Sequence, residues 1–458
     1  MSSGSNGWIP LSMRESLSTW HIVGICCAMF GFQIASSAVF SLADPIMNSL
    51  KLSDVSSLLA WSCGPIAGFF VQPIVGYYSD KSRFAWGRRR PYILIGCIGT
   101  AIGLICLLAL KEFGSQLSRN TKAFWLIAIL FGTFCSTNIF QGTSRALVGD
   151  IVPKNQQDQA NTIGSILIGV AAVVPNLIGG FGYFLTSPTY ASKVDTITLI
   201  TSTIFTAICV TITLLCGAEE QNVVEVEGAN PFSQIFKAVK NMPKEMISVS
   251  LVLFLSWIAY FPFNIKTTSF FEREVFPPSE KEKGLCFGMI VLGASYTFVL
   301  IYGFFHVSVI NTIGTKTTYA LALVFEALCL GSVFFVHSRW GLLATFAPIG
   351  ICYSIMNSVP FAIVAKTVPE SEMGVYMGVL NSNIVIGQQI ANIFLVFYGG
   401  RLFDKIKKDT WSITKIQTII GSSAPLALIA AFSCLFIRVP KEDTYHAPLI
   451  DAPAAPFV

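Results

Sequence analysis

Residues Gly76 to Pro91, GYYSDKSRFAWGRRRP, decide how this chain is read. They stand between two apolar runs, Val55–Tyr78 and Pro91–Leu110. Asp80, Lys81, Arg83, Arg88, Arg89 and Arg90 crowd into the short connection. A charge at the centre of a hydrocarbon layer costs roughly 2.5–3.5 kcal/mol on insertion scales, so the hairpin lies outside the layer. Its excess of Arg and Lys assigns it to the cytosolic side.

The rest of the composition agrees. Of 458 residues, 53% are hydrophobic and only 12% are charged, against about 25% charged in ordinary soluble domains. Mean hydropathy is +0.65. A soluble fold of this length has too little interior to hide that surface, so the chain is a polytopic membrane protein. Exposed backbone in lipid must be satisfied within its own segment, which leaves helices, each of about 20 residues. Runs of that length are Trp20–Leu42, Val55–Tyr78, Pro91–Leu110, Ala123–Val148, Thr162–Leu185, Ile197–Cys216, Met246–Ile265, Gly284–Val309, Thr317–Val336, Gly341–Ala365, Met373–Tyr398 and Ile416–Ile437.

The expected architecture is all-α: twelve transmembrane helices in two six-helix halves, residues 20–216 and 246–437, with cytosolic tails at 1–19 and 438–458. Residues 217–245 form the longest polar connection and are expected to be a cytosolic linker. Asn230–Pro231 is a helix start, and Ile235, Phe236 and Val239 share one face after it. That pattern predicts an amphipathic helix lying along the membrane surface. Ala146, Leu147, Val148, Val152 and Pro153 recur as Ala362, Ile363, Val364, Val368 and Pro369, each set ending the fourth span of its half. Parallel halves with a site between them are a common transporter plan. With both termini inside, Lys and Arg divide evenly between the two sides overall but favour the cytosol in the first half, and early spans dominate orientation. The N-terminus shows no secretory signal pattern. The plasma membrane is the expected location, an endomembrane the alternative, and a monomer the expected state.

Several function classes drop out. The net charge of +5 reflects loop anchoring and gives no reason to expect nucleic acid as a partner. Most of the twelve Cys lie inside apolar runs, where Cys behaves as a small hydrophobe, so neither a disulfide framework nor a metal site is expected. His21, His306, His337 and His446 are scattered. No nucleophile motif or phosphate loop appears. The reading is a non-enzyme without a cofactor, whose partners are a small solute and the lipid bilayer.

An acidic residue followed by a basic cluster between spans two and three resembles the loop signature of the major facilitator superfamily. Four further stretches narrow the likeness: WSCGPIAGFFVQPIVGYYSD in span two, QGTSRALVGD closing span four, SWIAYFPF with REVF through span seven, and MGVLNSNIVIGQ in span eleven. Together they resemble the plant sucrose transporters and their animal and fungal relatives, in the glycoside–cation symporter branch of that superfamily. The resemblance implies a disaccharide or glycoside carrier working by alternating access, sucrose- or maltose-like in substrate and coupled to a proton.

The departures bear on the coupling. The family carries an aspartate in span four, seven residues before Gln-Gly, where this chain has Phe134. Its FDTDWMGREV in span seven is here Lys266-Thr267-Thr268-Ser269-Phe270-Phe271-Glu272-Arg273-Glu274-Val275, so both aspartates are gone. Its His after span one aligns with Asp54. Retained are Gln33, Gln141, Arg145 and Asp150.

A coupling carboxylate must bind and release a proton in a partly buried place. Glu326 inside span nine is the replacement candidate, the other reading being a glutamate that merely faces the cavity or pairs with Arg145 or Lys266, and Glu274 is a second candidate. Arg145 offers a five-donor fork suited to sugar hydroxyls or a carboxylate and follows Gln141 by one helical turn. Asn138, Gln33, Asn264, Lys266, Asn381 and Gln388 complete the expected substrate site, with Trp257 and Tyr260 for stacking. Asp80, Arg88, Arg89 and Asp150 are expected to form a cytosolic gate network. The alternatives are a facilitative sugar carrier, a carrier of another, anionic solute, and a non-transporting sugar sensor.

Overall fold

The computed structural model describes residues 9–185, 190, 192–220, 231–368, 373–406 and 413–439. The remainder of both tails, residues 221–230 of the linker and a few short connecting stretches lie outside the described residues. Those described are helical with short connections and no strand.

Among the described residues, twelve helices are long and apolar enough to cross a membrane. In order they are Thr19–Ser49, Asp54–Asp80, Arg90–Gln116, Arg119–Ile151, Gln159–Phe181, Val194–Cys216, Lys244–Val275, Pro278–Ile313, Thr315–Phe334, Arg339–Val364, Val375–Lys405 and Lys415–Phe436, called here spans one to twelve. Two boundaries correct the sequence reading. Span one runs seven residues past Leu42 and takes in Asp44 and Asn48, and span seven continues through Lys266 to Val275. Hydropathy ended both early because the added turns carry charge. Those charges are matched across the interface rather than set in lipid.

Spans three and four pack through small residues. Ile95, Ile98, Ile102 and Ile105 of span three face outward, each about half exposed. On its other side a Cβ added to Gly96 would stand 2.7 Å from the backbone nitrogen of Phe140. Only glycine permits that approach, the usual device where apolar burial cannot drive helices together. Within span ten the helix breaks at Ala347–Pro348, as a proline without an N–H requires. Spans seven and eleven each contain a π-helical stretch, Phe271–Val275 and Ala391–Gly399. Such insertions often mark functional positions, and here both flank the seam between the halves.

Each half has its own core, and the seam is apolar as well. One buried cluster joins Ala38, Leu42, Trp61 and Phe134 of the first half to Ile258, Phe261, Ile265 and Met289 of the second. The linker contains a helix, Pro231–Lys240, whose Phe236 and Val239 are exposed. Its following turn is tied to span eleven by the Tyr376 hydroxyl, which donates to the Asn241 carbonyl at 3.4 Å.

Candidate functional site

The hairpin that decides the fold is held by a charged network within the first half. Arg89 sits at its centre, bonding Asp80 and the Ser79 hydroxyl on one side and Asp150 at 2.8 Å on the other. Arg88 pairs with Asp150 at 2.7 Å. The four residues expected to act together do meet, with Arg89 rather than Arg88 joining both acids. Burial works against the charge on Arg89, but Asp150 and Asp80 outweigh it and hold its pKa above the ordinary value.

A fifth member escaped the sequence reading. Glu219, just past span six, accepts from the backbone N–H of Arg89 at 3.0 Å and of Arg90 at 2.9 Å. It thereby satisfies orphan donors at the start of span three. Gly87 explains the fit: its φ is +112°, and a Cβ there would stand 2.4 Å from the Glu219 side chain.

The opposite face, called the far face below, is fastened between halves instead. Lys266 Nζ lies 2.6 Å from Asp44, and the Asp44 side chain is 2% exposed. One turn further, the Asn48 amide donates to Ser269 at 3.0 Å, and Arg273 donates to the Asn48 oxygen at 3.0 Å. Gln389 donates to Ser62 at 2.7 Å, and Asn392 donates to the Leu58 carbonyl at 3.0 Å. Above these contacts opens a vestibule of about 450 Å³, lined among others by Lys51, Asp54, Arg119, Arg273 and Lys415.

Between the halves, past this seal, lies a cleft of about 40 Å³, room for a few waters only. One wall is aromatic. Phe40 stacks on Trp61 with centroids 5.8 Å apart and planes 21° from parallel, and Phe134 and Phe261 stand edge-on or tilted beside them. The other wall is amide: Gln72, Asn138, Gln141, Asn381 and Gln388. Gln72 donates to Asn138 at 2.8 Å and to Gln141 at 3.0 Å. The buried Asn381 oxygen has no partner among the described residues, and such an orphan invites a ligand hydroxyl. Arg145 follows Gln141 by one turn. Its guanidinium lies 5.9 Å from the Phe32 ring, and its buried Nη2 has no partner among the described residues.

Four of the eight expected substrate residues therefore line the cleft: Asn138, Gln141, Asn381 and Gln388, with Arg145 adjoining along the helix. Three stand elsewhere. Lys266 is committed to Asp44, Asn264 accepts from Tyr296 inside the second half, and Gln33 donates to Ser37 along span one. The stacking expectation is corrected as well. Trp257 and Tyr260 are buried against Tyr353 in the core of the second half, and the cleft aromatics are others.

The acid candidates also move. Glu274 caps span twelve, accepting from the Thr414 hydroxyl and from the backbone N–H groups of Ile416 at 2.9 Å and Gln417 at 3.0 Å. That is a structural role, distant from the cleft in its bonding. Glu326 pairs with neither Arg145 nor Lys266. It is fully buried in the second half near Tyr260, Tyr319 and Cys352, both oxygens unpartnered among the described residues.

Two six-helix halves around a narrow central cleft are the architecture of a membrane transporter, and comparison with known proteins gives its family. The family model described as Major Facilitator Superfamily matches residues 22–382 and 273–457. The chain belongs to that superfamily. It is 26% identical over an alignment 495 positions long to "Sucrose transport protein SUT1" of Oryza sativa subsp. japonica, across 93% of this chain and 89% of that protein. To "Sucrose transport protein SUT5" of Oryza sativa subsp. indica it is 28% identical over 425 residues, across 80% and 79%. Its fold is similar to that in the crystal structure of the nucleoside transporter NupG, with a TM-score of 0.64 at 14% identity over 92% of this chain and all of that one. A proton-dependent oligopeptide transporter structure matches at 0.67 and 12% identity, over 92% and 98%. Relatives and fold neighbours alike are transporters, and the chain is not an enzyme.

Proposed function

We propose that this protein carries a sugar, of the disaccharide or glycoside type, across the membrane by alternating access. The observation that carries the reading is the cleft: a stacked aromatic pair faces a row of amides contributed by spans two and four of one half and span eleven of the other. Aromatic faces suit the apolar face of a pyranose, and amides suit its hydroxyls. The likeness to sucrose transport proteins over most of the chain supports the same substrate class. At 40 Å³ the cleft is too narrow for such a solute, so the halves must part to admit it. In this proposal the hairpin face is cytosolic.

The test is uptake of radiolabelled sucrose and maltose into proteoliposomes, with and without an inward proton gradient. Saturable uptake is expected, and Arg145→Ala is expected to abolish it while the protein still reaches the membrane. Normal uptake by that variant would remove Arg145 from the site. Coupling to protons is the finer part of the proposal, supported by Glu326 as an intramembrane acid. Glu326→Gln is expected to erase the pH dependence of accumulation but keep exchange of sugar across the membrane. Uptake that stops at equilibrium under the gradient makes the protein a facilitative carrier.

A further inference from the structure

The far-face vestibule holds more positive charge than its own acids answer. Among the described residues, Lys51, Arg119, Lys266, Arg273 and Lys415 line it, against Asp44 and Asp54. Both acids are engaged: Asp44 with Lys266 at 2.6 Å, and Asp54 at 3.8 Å from Lys415, which also meets Asp404. Lys51, Arg119 and Arg273 have no carboxylate within ion-pair distance among the described residues, and Arg273 is bonded to the neutral Asn48. An adjoining recess of about 480 Å³, sharing Lys51 and Arg119, adds Lys122, while its Lys111 is already paired with Asp195. The cations come from spans four, seven and twelve and the turn after span one, so only the tertiary fold gathers them.

The same imbalance continues inward. Beyond the seal, Arg145 lies in span four with no acid bonded to it among the described residues and a buried, unpartnered Nη2. A guanidinium within a bilayer is expensive without a counter-charge. A concave, one-signed mouth with low-dielectric walls focuses its field and concentrates counter-ions. Lys266 adds a handover. While the far face is shut, the Asp44 carboxylate occupies it, and parting of the halves frees its ammonium to face whatever enters.

We infer that the solute carried bears a negative charge: a glycoside with a carboxylate or phosphate group, met first by Lys51, Arg119 and Arg273, then by Lys266, and neutralising Arg145, one helical turn past the cleft residue Gln141. This rests on the sugar-carrier reading and narrows its substrate class. The aromatic and amide walls would take the ring, and the cations the acidic group.

The experiment compares binding to the purified full-length protein in detergent, by isothermal titration, of methyl glucoside and methyl glucuronide, which differ by one carboxylate. Glucose phosphate forms the phosphate arm, and acetate and inorganic phosphate serve as bare anions. The expected result is binding of at least one acidic sugar about tenfold tighter than the glucoside, an advantage that shrinks as salt is raised. In the Arg119→Gln/Arg273→Gln double variant, altered at two exposed side chains, the ratio of acidic to neutral affinity is expected to fall toward one. Lys244→Gln removes a charge from the hairpin face and is expected to leave that ratio unchanged. Glucoside binding as tight as the acidic sugars would overturn the inference and leave the sugar carrier standing. Bare anions binding as tightly as acidic sugars would keep the anion site and overturn the sugar reading. Binding of none of the probes would count against both.

Discussion

The two faces of this protein are fastened by different kinds of bond. On the hairpin face Asp80, Arg88, Arg89 and Asp150 belong to the first half and Glu219 follows directly on its last span, and their bonds lock spans two, three, four and six into one body. On the far face Asp44–Lys266, Asn48–Arg273 and Ser62–Gln389 run from one half to the other. A carrier that rocks one half against the other has to keep the first set and break the second. Charge is thus used for rigidity on one face and for a releasable closure on the other, and the two sets should respond differently to the same kind of mutation.

The largest effect is expected from Arg89→Ala. It strips both Asp80 and Asp150 of their shared partner. A buried pair broken from one side loses roughly 3–5 kcal/mol. Asp80 here is 43% exposed, so about 2–3 kcal/mol is the expected loss of stability. The check is the apparent Tm of the detergent-solubilised protein, which should drop, while reagent access to the far face stays as in the wild type. An unchanged Tm would mean that the network is ornamental to the fold of the first half.

Asp44→Asn should do the opposite. It leaves Lys266 without its counter-charge, and the protein relieves this by letting the far face open rather than by unfolding. A shift of about tenfold in the open population corresponds to roughly 1.4 kcal/mol. A cysteine placed at Ser57, which lines the vestibule, should react faster with a membrane-impermeant maleimide in this background, with little change in Tm. The exchanged pair Asp44→Lys/Lys266→Asp should bring labelling back down. If labelling is unaffected by Asp44→Asn, the pair is not a closure.

The contrast also separates what was legible in the sequence. The hairpin itself could be read because Asp80 and the arginines are close along the chain and six charges between two apolar runs admit one explanation. Asp150, 61 residues from Arg89, entered through the family resemblance, and Glu219 not at all. The spans could be read locally as well, through hydropathy. The far-face closure could not, since its partners are 222 residues apart and each lay just beyond the apolar run that defined its span. The available signal was a pair of opposite charges at the edges of spans one and seven, in opposite halves. Phe134 stands where the resembled family carries an aspartate, and what the sequence could not show is that its ring builds the cleft wall beside Phe40. Glu274, a coupling candidate by its charge alone, is used by the fold to cap the start of span twelve, a contact across 142 residues that the sequence does not display.

The smallest effect concerns Glu219, where the hairpin face meets the start of the linker. Burial raises its pKa above the usual 4.5, and the N–H groups of Arg90 and Arg89 pull it back only in part. The folded protein therefore binds this proton more tightly than the unfolded chain does. Stability from this group is then fully present below the unfolded pKa and is lost as pH rises through the folded value, the reverse of a carboxylate paired with a strong cation. Glu219→Gln cannot titrate. The Tm difference between wild type and this variant should consequently move in favour of the wild type as pH falls from neutrality toward about 4.5. A difference that moves the other way would mean that the ionised carboxylate, capping span three, is worth more than its burial costs, and Glu219 would then belong with Asp80 and Asp150 as a charged strut of the rigid half.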